Sequence, residues 1–154
     1  MWGALVTFGA YFVTLLIAVT IIGGTLTHID LDQKQQIGFD AASGFGPLAL
    51  VFISLVLLPP LVEEVLIRGF LYGGLRNKLR PLQAALIASL LFAAAHLQFG
   101  SGEPLLWIAA IDTFILSLFL IRLREQTGSL WAGMGTHFIK NLLAFVALFI
   151  VGTG

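Results

Sequence analysis

Six polar side chains, several of which could take part in a hydrolysis reaction, interrupt otherwise apolar stretches of the sequence. They are Glu63, Glu64 and Arg68 in EEVLIR, His96 in FAAAH, and His137 and Asn141 in HFIKN. Charged groups at membrane depth are costly and usually face a bundle interior or a water-filled cavity. A carboxylate there can act as a general base, and histidine and amide side chains can stabilise a developing oxyanion. The residue types therefore indicate a catalytic site, with a metal-binding site as the alternative.

The spacing within the motifs assigns different tasks to neighbouring residues. Glu64 and Arg68 are four residues apart, so they can pair on one helical face. Glu63 then lies about 100° further around the helix and is free to face a cavity as the general base. His137 and Asn141 are also four apart and could present two donors towards one point. The alternative is that both glutamates belong to a neutralising network that only holds helices together.

The composition is that of a membrane protein. Of 154 residues, 58% are hydrophobic and 10% are charged, with eight basic against eight acidic side chains. Soluble chains carry about 25% charged residues, so the surplus apolar surface is expected to face the lipid bilayer. The balanced charge excludes the dense basic patch that nucleic acid needs. With no cysteine, a thiolate nucleophile and a cysteine-ligated zinc are excluded as well.

Five apolar segments predict an all-α, polytopic transmembrane bundle of about five spans, each about 20 residues long. The segments cover about Trp2–Gly24, Phe45–Leu75, Pro81–Phe99, Pro104–Ile121 and Leu130–Val151. We expect one domain over residues 1–154, with 1–44 as the first span and a polar loop and 45–154 as the catalytic helical core. Pro59 and Pro60 predict that the second segment is kinked, or is broken into two helices.

Basic residues predict the orientation of the bundle. They follow the second and fourth segments as Arg76, Lys78, Arg80, Arg122 and Arg124. The positive-inside rule then places the N-terminus in the cytoplasm and the C-terminus outside. At about 1.5 Å per residue, the four candidate catalytic residues lie roughly 12 to 22 Å from the cytoplasmic helix ends. Asp112 lies at a similar depth and is expected to pair with Arg68 or Lys140.

Taken in order, the three motifs resemble those of the CPBP intramembrane proteases, also called the Abi or CAAX-protease and bacteriocin-processing family. The family pattern is Glu-Glu-x-x-x-Arg, Phe-x-x-x-His and His-x-x-x-Asn or Asp on separate transmembrane helices. All three match, and the resemblance covers about Pro59 to Leu142. It implies an integral membrane endopeptidase, expected in a prokaryotic cell membrane, that acts on a membrane-associated or lipidated peptide or protein. Its activity would be CAAX-prenyl-protease-like or bacteriocin-processing-like.

The resemblance also implies a role for each matching residue. The glutamate matching Glu63 activates a water with help from the histidine matching His96. The residues matching His137 and Asn141 stabilise the oxyanion. Those matching Glu64 and Arg68 support the site, and Asp112 is added to them as a supporting residue outside the motifs.

Two chemistries remain open for these residues. Glu63, His96 and His137 could form a three-ligand zinc site with an open position, although the HExxH signature is missing. A metal-free, glutamate-dependent mechanism uses the same side chains, so zinc is a candidate cofactor and not a required one.

Two other classes of function fit parts of the sequence. A small proton-coupled transporter would also place Glu, His and Asn at mid-membrane, but it would be expected to show internal repeats, and none is convincing here. A non-catalytic immunity or scaffold protein could keep the helices of the family and bind a partner. The complete motifs favour the peptidase.

Overall fold

The protein is described here by a computed structural model that covers residues 2–25, 44–99 and 105–152. Within these ranges the chain forms helices joined by turns, and no strand occurs in them. The helices are α1 (Trp2–Thr25), α2 (Phe45–Arg76), α3 (Pro81–Ala94), α4 (Trp107–Thr127) and α5 (Leu130–Val151). Most of the predicted polar loop from Thr25 to Gly44, and Pro104 at the predicted start of the fourth segment, lie outside the described residues. The predicted all-helical class is confirmed.

Two of these helices, α2 and α5, are long and apolar enough to cross a membrane. Shorter apolar stretches occur at Val6–Ile22 within α1 and at Pro81–Ala94, which is α3. The count of five spans stays a prediction.

The outer surface of the helices differs from that of a soluble protein. Large apolar side chains point outwards, as with Phe45 and Phe70, which are 91% and 81% exposed. Three polar side chains at the centre of the bundle, Glu64, Arg68 and His137, are buried. Contiguous exposed apolar surface needs an apolar environment. This arrangement suits a bundle whose outer surface meets lipid.

Helix α2 runs through Pro59 and Pro60 without a break. Proline lacks the backbone N–H that a helix needs, and here the helix adapts through wider π-helical turns at Ile53–Leu57 and Glu64–Leu71. Of the two predicted outcomes, the break into two helices is therefore not observed. The motif EEVLIR begins at the last residue of the intervening α-helical piece, Leu58–Glu63.

Two predicted helix ends were wrong. Helix α3 ends at Ala94 and not at Phe99, because the chain tightens into turns there: His96 N–H and Leu97 N–H donate to the carbonyls of Ala93 and Ala94, three residues back. Helix α4 continues past Ile121 to Thr127, where Gly128 at φ 67° donates its N–H to the Arg124 carbonyl 2.8 Å away and ends the helix. Charged side chains at a membrane surface do not stop a helix, so Arg122 and Arg124 lie in its last turns.

Helix α4 packs against α1, α3 and α5, and α5 also packs against α2. Small residues bring α3 close to its neighbours: Ala84 and Ala88 are fully buried, and Ser89 donates to Ser117 of α4 at 2.9 Å. In a membrane, small residues of this kind let helix backbones approach each other. The packing places the middle of α2, the turn after α3 and the polar face of α5 around one space.

Candidate active site

A cavity of about 240 Å³ lies between α2, α4, α5 and the turn after α3. Its titratable and amide lining residues are Glu63, His96, Asp112, His137, Lys140 and Asn141. The structure therefore brings together all four predicted catalytic side chains, which come from three separate motifs. Their chemical roles stay predictions.

Glu64 and Arg68 form a buried ion pair beside the cavity. Arg68 Nη1 lies 3.0 Å from Glu64 Oε1, and the two side chains are 0% and 1% exposed. The same Glu64 oxygen lies 3.2 Å from Nδ1 of His137. The pairing predicted from the spacing is present, and Glu64 also holds the His137 ring.

Glu63 faces the cavity instead of the interior. Its side chain is 28% exposed, and its Oε2 lies 3.8 Å from Nε2 of His137. The two adjacent glutamates therefore have different surroundings, since one is locked in an ion pair and the other is open to a bound molecule. His137 contacts both of them through opposite sides of its ring.

Phe92 explains the spacing of the motif FAAAH. Its carbonyl oxygen lies 2.8 Å from Nδ1 of His96, and its ring stands edge-on to the His96 ring at 4.7 Å. The Arg68 guanidinium lies over the same phenyl ring, 4.5 Å from its centre. Phe92 was not among the predicted site residues, although its place in the motif was a signal. It connects His96 to the buried ion pair.

The hydrogen-bond partners of the two histidines fix which ring nitrogen each presents to the cavity. A carbonyl oxygen and an ion-paired carboxylate only accept, so Nδ1 of His96 and Nδ1 of His137 are the donors. In a neutral histidine the other nitrogen, Nε2, then carries a lone pair. His137 can donate from Nε2 only in its doubly protonated form.

A second set of polar contacts connects α5, through α4, to α1. Lys140 Nζ lies 2.8 Å from Asp112 Oδ2, and the hydroxyl of Tyr11 donates to the other Asp112 oxygen. The ion pair expected for Asp112 thus forms with Lys140 and not with Arg68. Tyr11 is 1% exposed and was not predicted to be near the site. Its only sequence signal was being the one ionisable side chain of the first segment.

Asn141 has a partner on another helix. Its Nδ2 donates to the backbone carbonyl of Leu55 in α2, 2.9 Å away. At least one of its two amide hydrogens is therefore used within the protein. A backbone carbonyl has no sequence signature, so this contact was not expected.

The sequence model of the family described as type II CAAX prenyl endopeptidase Rce1-like matches residues 45–143, which is more than half of the chain. The chain belongs to this family. The Rce1-like region contains all three motifs, Asp112 and Lys140, whereas Tyr11 and the rest of α1 lie before it. No curated protein and no solved structure is significantly similar to the chain. Membership implies a CAAX-type peptidase and, together with the two long apolar helices, a membrane protein.

The metal alternative depends on Glu63, His96 and His137 forming a ligand set. Over residues 2–25, 44–99 and 105–152, no group of three or more His, Asp or Glu side chains is arranged so that it could hold a metal ion. The three side chains as placed in this Rce1-like protein do not fit a zinc site.

Gly133 allows α5 to pack against the buried ion pair. A Cβ atom at this position would lie 2.9 Å from Glu64 Oε2, closer than real Cβ contacts allow. We expect Gly133→Ala to displace the Glu64 carboxylate and to destabilise the protein by about 1–3 kcal/mol, as overpacking does. A lower melting temperature in detergent would show this effect, and cleavage activity should fall with it.

Gly135 provides a matched control on the same helix. A Cβ atom there meets nothing within 4 Å. Alanine is the better helix former by about 1 kcal/mol, so Gly135→Ala should keep or raise the melting temperature. Equal behaviour of the two variants would contradict the close approach of Gly133 to Glu64.

Proposed function

We propose that the protein is an intramembrane endopeptidase that hydrolyses a peptide bond with a water molecule activated by Glu63. Its substrate is a membrane-associated or lipidated peptide, such as one that ends in a prenylated CAAX sequence. The observation that carries this proposal is the single cavity lined by Glu63, His96 and His137 in a chain of the Rce1-like family. A carboxylate can act as the base that activates water. The two histidines beside it can form hydrogen bonds to the water and to the tetrahedral intermediate.

Glu63 is the general base in this proposal. A water bonded at about 2.8 Å to both Glu63 Oε2 and His137 Nε2 is compatible with the 3.8 Å between those atoms. Glu63 takes one proton as the water oxygen attacks the carbonyl carbon. The resulting carboxylic acid then gives that proton to the leaving amine nitrogen as the C–N bond breaks.

The two histidines assist at different stages. His96 accepts a hydrogen bond from the water through its free Nε2, since its Nδ1 is engaged by Phe92. His137 in its doubly protonated form donates from Nε2 to the oxyanion, while Glu64 holds the ring from the other side. A preorganised donor of this kind lowers the barrier by about 3 kcal/mol in water-excluded sites.

We also propose five spans with a cytoplasmic N-terminus and an external C-terminus. Support comes from the contacts between the two basic regions. Arg76 of α2 lies 3.6 Å from Glu125 of α4, and Arg124 lies over the ring of Tyr72, 5.3 Å from its centre. The basic ends of α2 and α4 are therefore side by side, as a common cytoplasmic end requires.

The proposal is tested with purified protein in liposomes and a quenched fluorescent peptide that ends in a prenylated CAAX sequence. We expect the protein to cleave this peptide. Comparison with the same peptide without the prenyl group shows whether cleavage requires the lipid. His96→Ala should lower the cleavage rate by about 100-fold, because the attacking water loses the hydrogen bond that orients it. Full activity in a correctly folded His96→Ala variant would refute the role of His96.

Removal of metal ions separates the two chemistries left open by the motifs. After exhaustive chelation, with elemental analysis showing no bound zinc, we expect the cleavage rate to stay unchanged because the proposed steps use only side chains and water. Loss of cleavage that returns on addition of Zn²⁺, and not on addition of Mg²⁺, would overturn the metal-free mechanism.

A further inference from the structure

The two adjacent prolines of α2 leave the backbone carbonyl of Leu55 without a helical partner. In an α-helix the carbonyl of Leu55 would accept from residue 59, and in a π-helical turn it would accept from residue 60. Both positions are proline and lack an N–H. The next nearest donor, the N–H of Leu58, is already used by the carbonyl of Ile53. The Leu55 carbonyl therefore depends on a donor from outside its helix.

Asn141 supplies that donor. Its Nδ2 lies 2.9 Å from the Leu55 oxygen, although the two residues are 86 positions apart. Inside a membrane no bulk water can replace a missing partner, so backbone groups must be satisfied within the protein. The bond fixes α5 to the π-helical turn at Ile53–Leu57.

Glu63 lies one helical turn after Pro59, and both side chains line the same cavity as Asn141. The stretch of α2 that carries Glu63 is held at two points. Asn141 holds it at Leu55, and His137 holds it at Glu64, 3.2 Å from Nδ1. Both contacts come from one face of α5.

We propose that Asn141 is a positioning residue. It donates a hydrogen bond to the Leu55 carbonyl, which Pro59 and Pro60 leave without a helical donor, and thereby fixes the position of the Glu63 side chain in the cavity. This role differs from direct donation to the oxyanion. It makes the need for Asn141 conditional on the prolines, whereas an oxyanion donor would be needed whatever residue stands at position 59.

The test is a double-mutant cycle of Asn141→Leu and Pro59→Ala in the full-length protein in liposomes. Leucine matches asparagine in size but cannot donate, so we expect kcat on the prenylated peptide to fall by about 100-fold, the effect of misplacing a catalytic group. Pro59→Ala restores an N–H that can bond to the Leu55 carbonyl. In the double variant kcat should then recover by about tenfold or more, because the two sites are coupled.

The control is the same Pro59→Ala change combined with His96→Ala, where no recovery is expected because His96 does not bond to Leu55. The melting temperatures of the Asn141→Leu cycle are measured in parallel, and Pro59→Ala should recover more than half of the loss. If Asn141→Leu does not fold alone, folding of the double variant is the positive result. Additive losses in kcat and in melting temperature would overturn the inference, as would a double variant that stays unfolded.

This inference rests on the proposed function only for its kinetic part. If the wild-type protein cleaves no peptide, the proposed function fails, and the melting-temperature cycle still decides whether Asn141 and Pro59 are coupled. If the peptide is cleaved but neither cycle shows coupling, the positioning role of Asn141 fails and the peptidase stands.

Discussion

Replacing Glu63 by glutamine is expected to lower kcat on the prenylated peptide by about 10²–10⁴-fold, the contribution usual for a general base. Glutamine has the size of glutamate but cannot take a proton from water. Glu63 faces the cavity, and its Oε2 lies 3.8 Å from Nε2 of His137. The change leaves the buried pair of Glu64 and Arg68 intact, so the melting temperature should stay close to that of the wild type.

Glu64 is the matched control for this prediction, since it is the neighbouring residue with the same side chain. Its carboxylate is bound by Arg68 and His137 and does not line the cavity. Glu64→Gln should lower the melting temperature, in contrast to Glu63→Gln. Retained activity in Glu63→Gln would refute the assignment of the base.

The largest effect on stability is expected from Arg68→Met. Methionine keeps an apolar stem of similar length but leaves the Glu64 carboxylate buried without its cation. Removing one partner of a buried pair costs about 3–5 kcal/mol, because the remaining charge is uncompensated. The contact of the guanidinium with the Phe92 ring is lost at the same time. Thermal unfolding in detergent, followed by intrinsic fluorescence, measures the loss.

A second variant shows whether charge or packing causes that loss. Glu64→Leu combined with Arg68→Met removes both charges, and a buried pair replaced by apolar residues is often neutral in stability. We expect the double variant to melt at a higher temperature than Arg68→Met alone. A double variant as unstable as the single one would mean that packing around Phe92, and not the unpaired charge, dominates.

The lengths of the apolar segments predicted several of the helix bounds. The bounds Leu130–Val151 were predicted as observed, and α2 was predicted to within one residue of its end at Arg76. The ends of α3 and α4 were not predicted, because the tight turns after Ala94 and the glycine cap at Gly128 each involve only a few residues. Hydropathy, which averages over longer stretches, does not show such local events.

The site was predictable where contacts follow helical spacing. Glu64 with Arg68 and Phe92 with His96 are both four residues apart, and both pairs are in contact. Contacts between distant segments were not predictable from spacing. Tyr11 reaches Asp112 across 101 positions, and which partner satisfies the Leu55 carbonyl depends on how α5 packs on α2.

The most direct test of the central claim is mass spectrometry of the prenylated CAAX peptide after incubation with purified protein in liposomes. Wild-type protein and Glu63→Gln are compared at equal amounts, each shown to be folded by its melting temperature. We predict a single new pair of peptide products with the wild type and none above background with Glu63→Gln. Equal amounts of product with both proteins, or no product with folded wild type, would contradict the account.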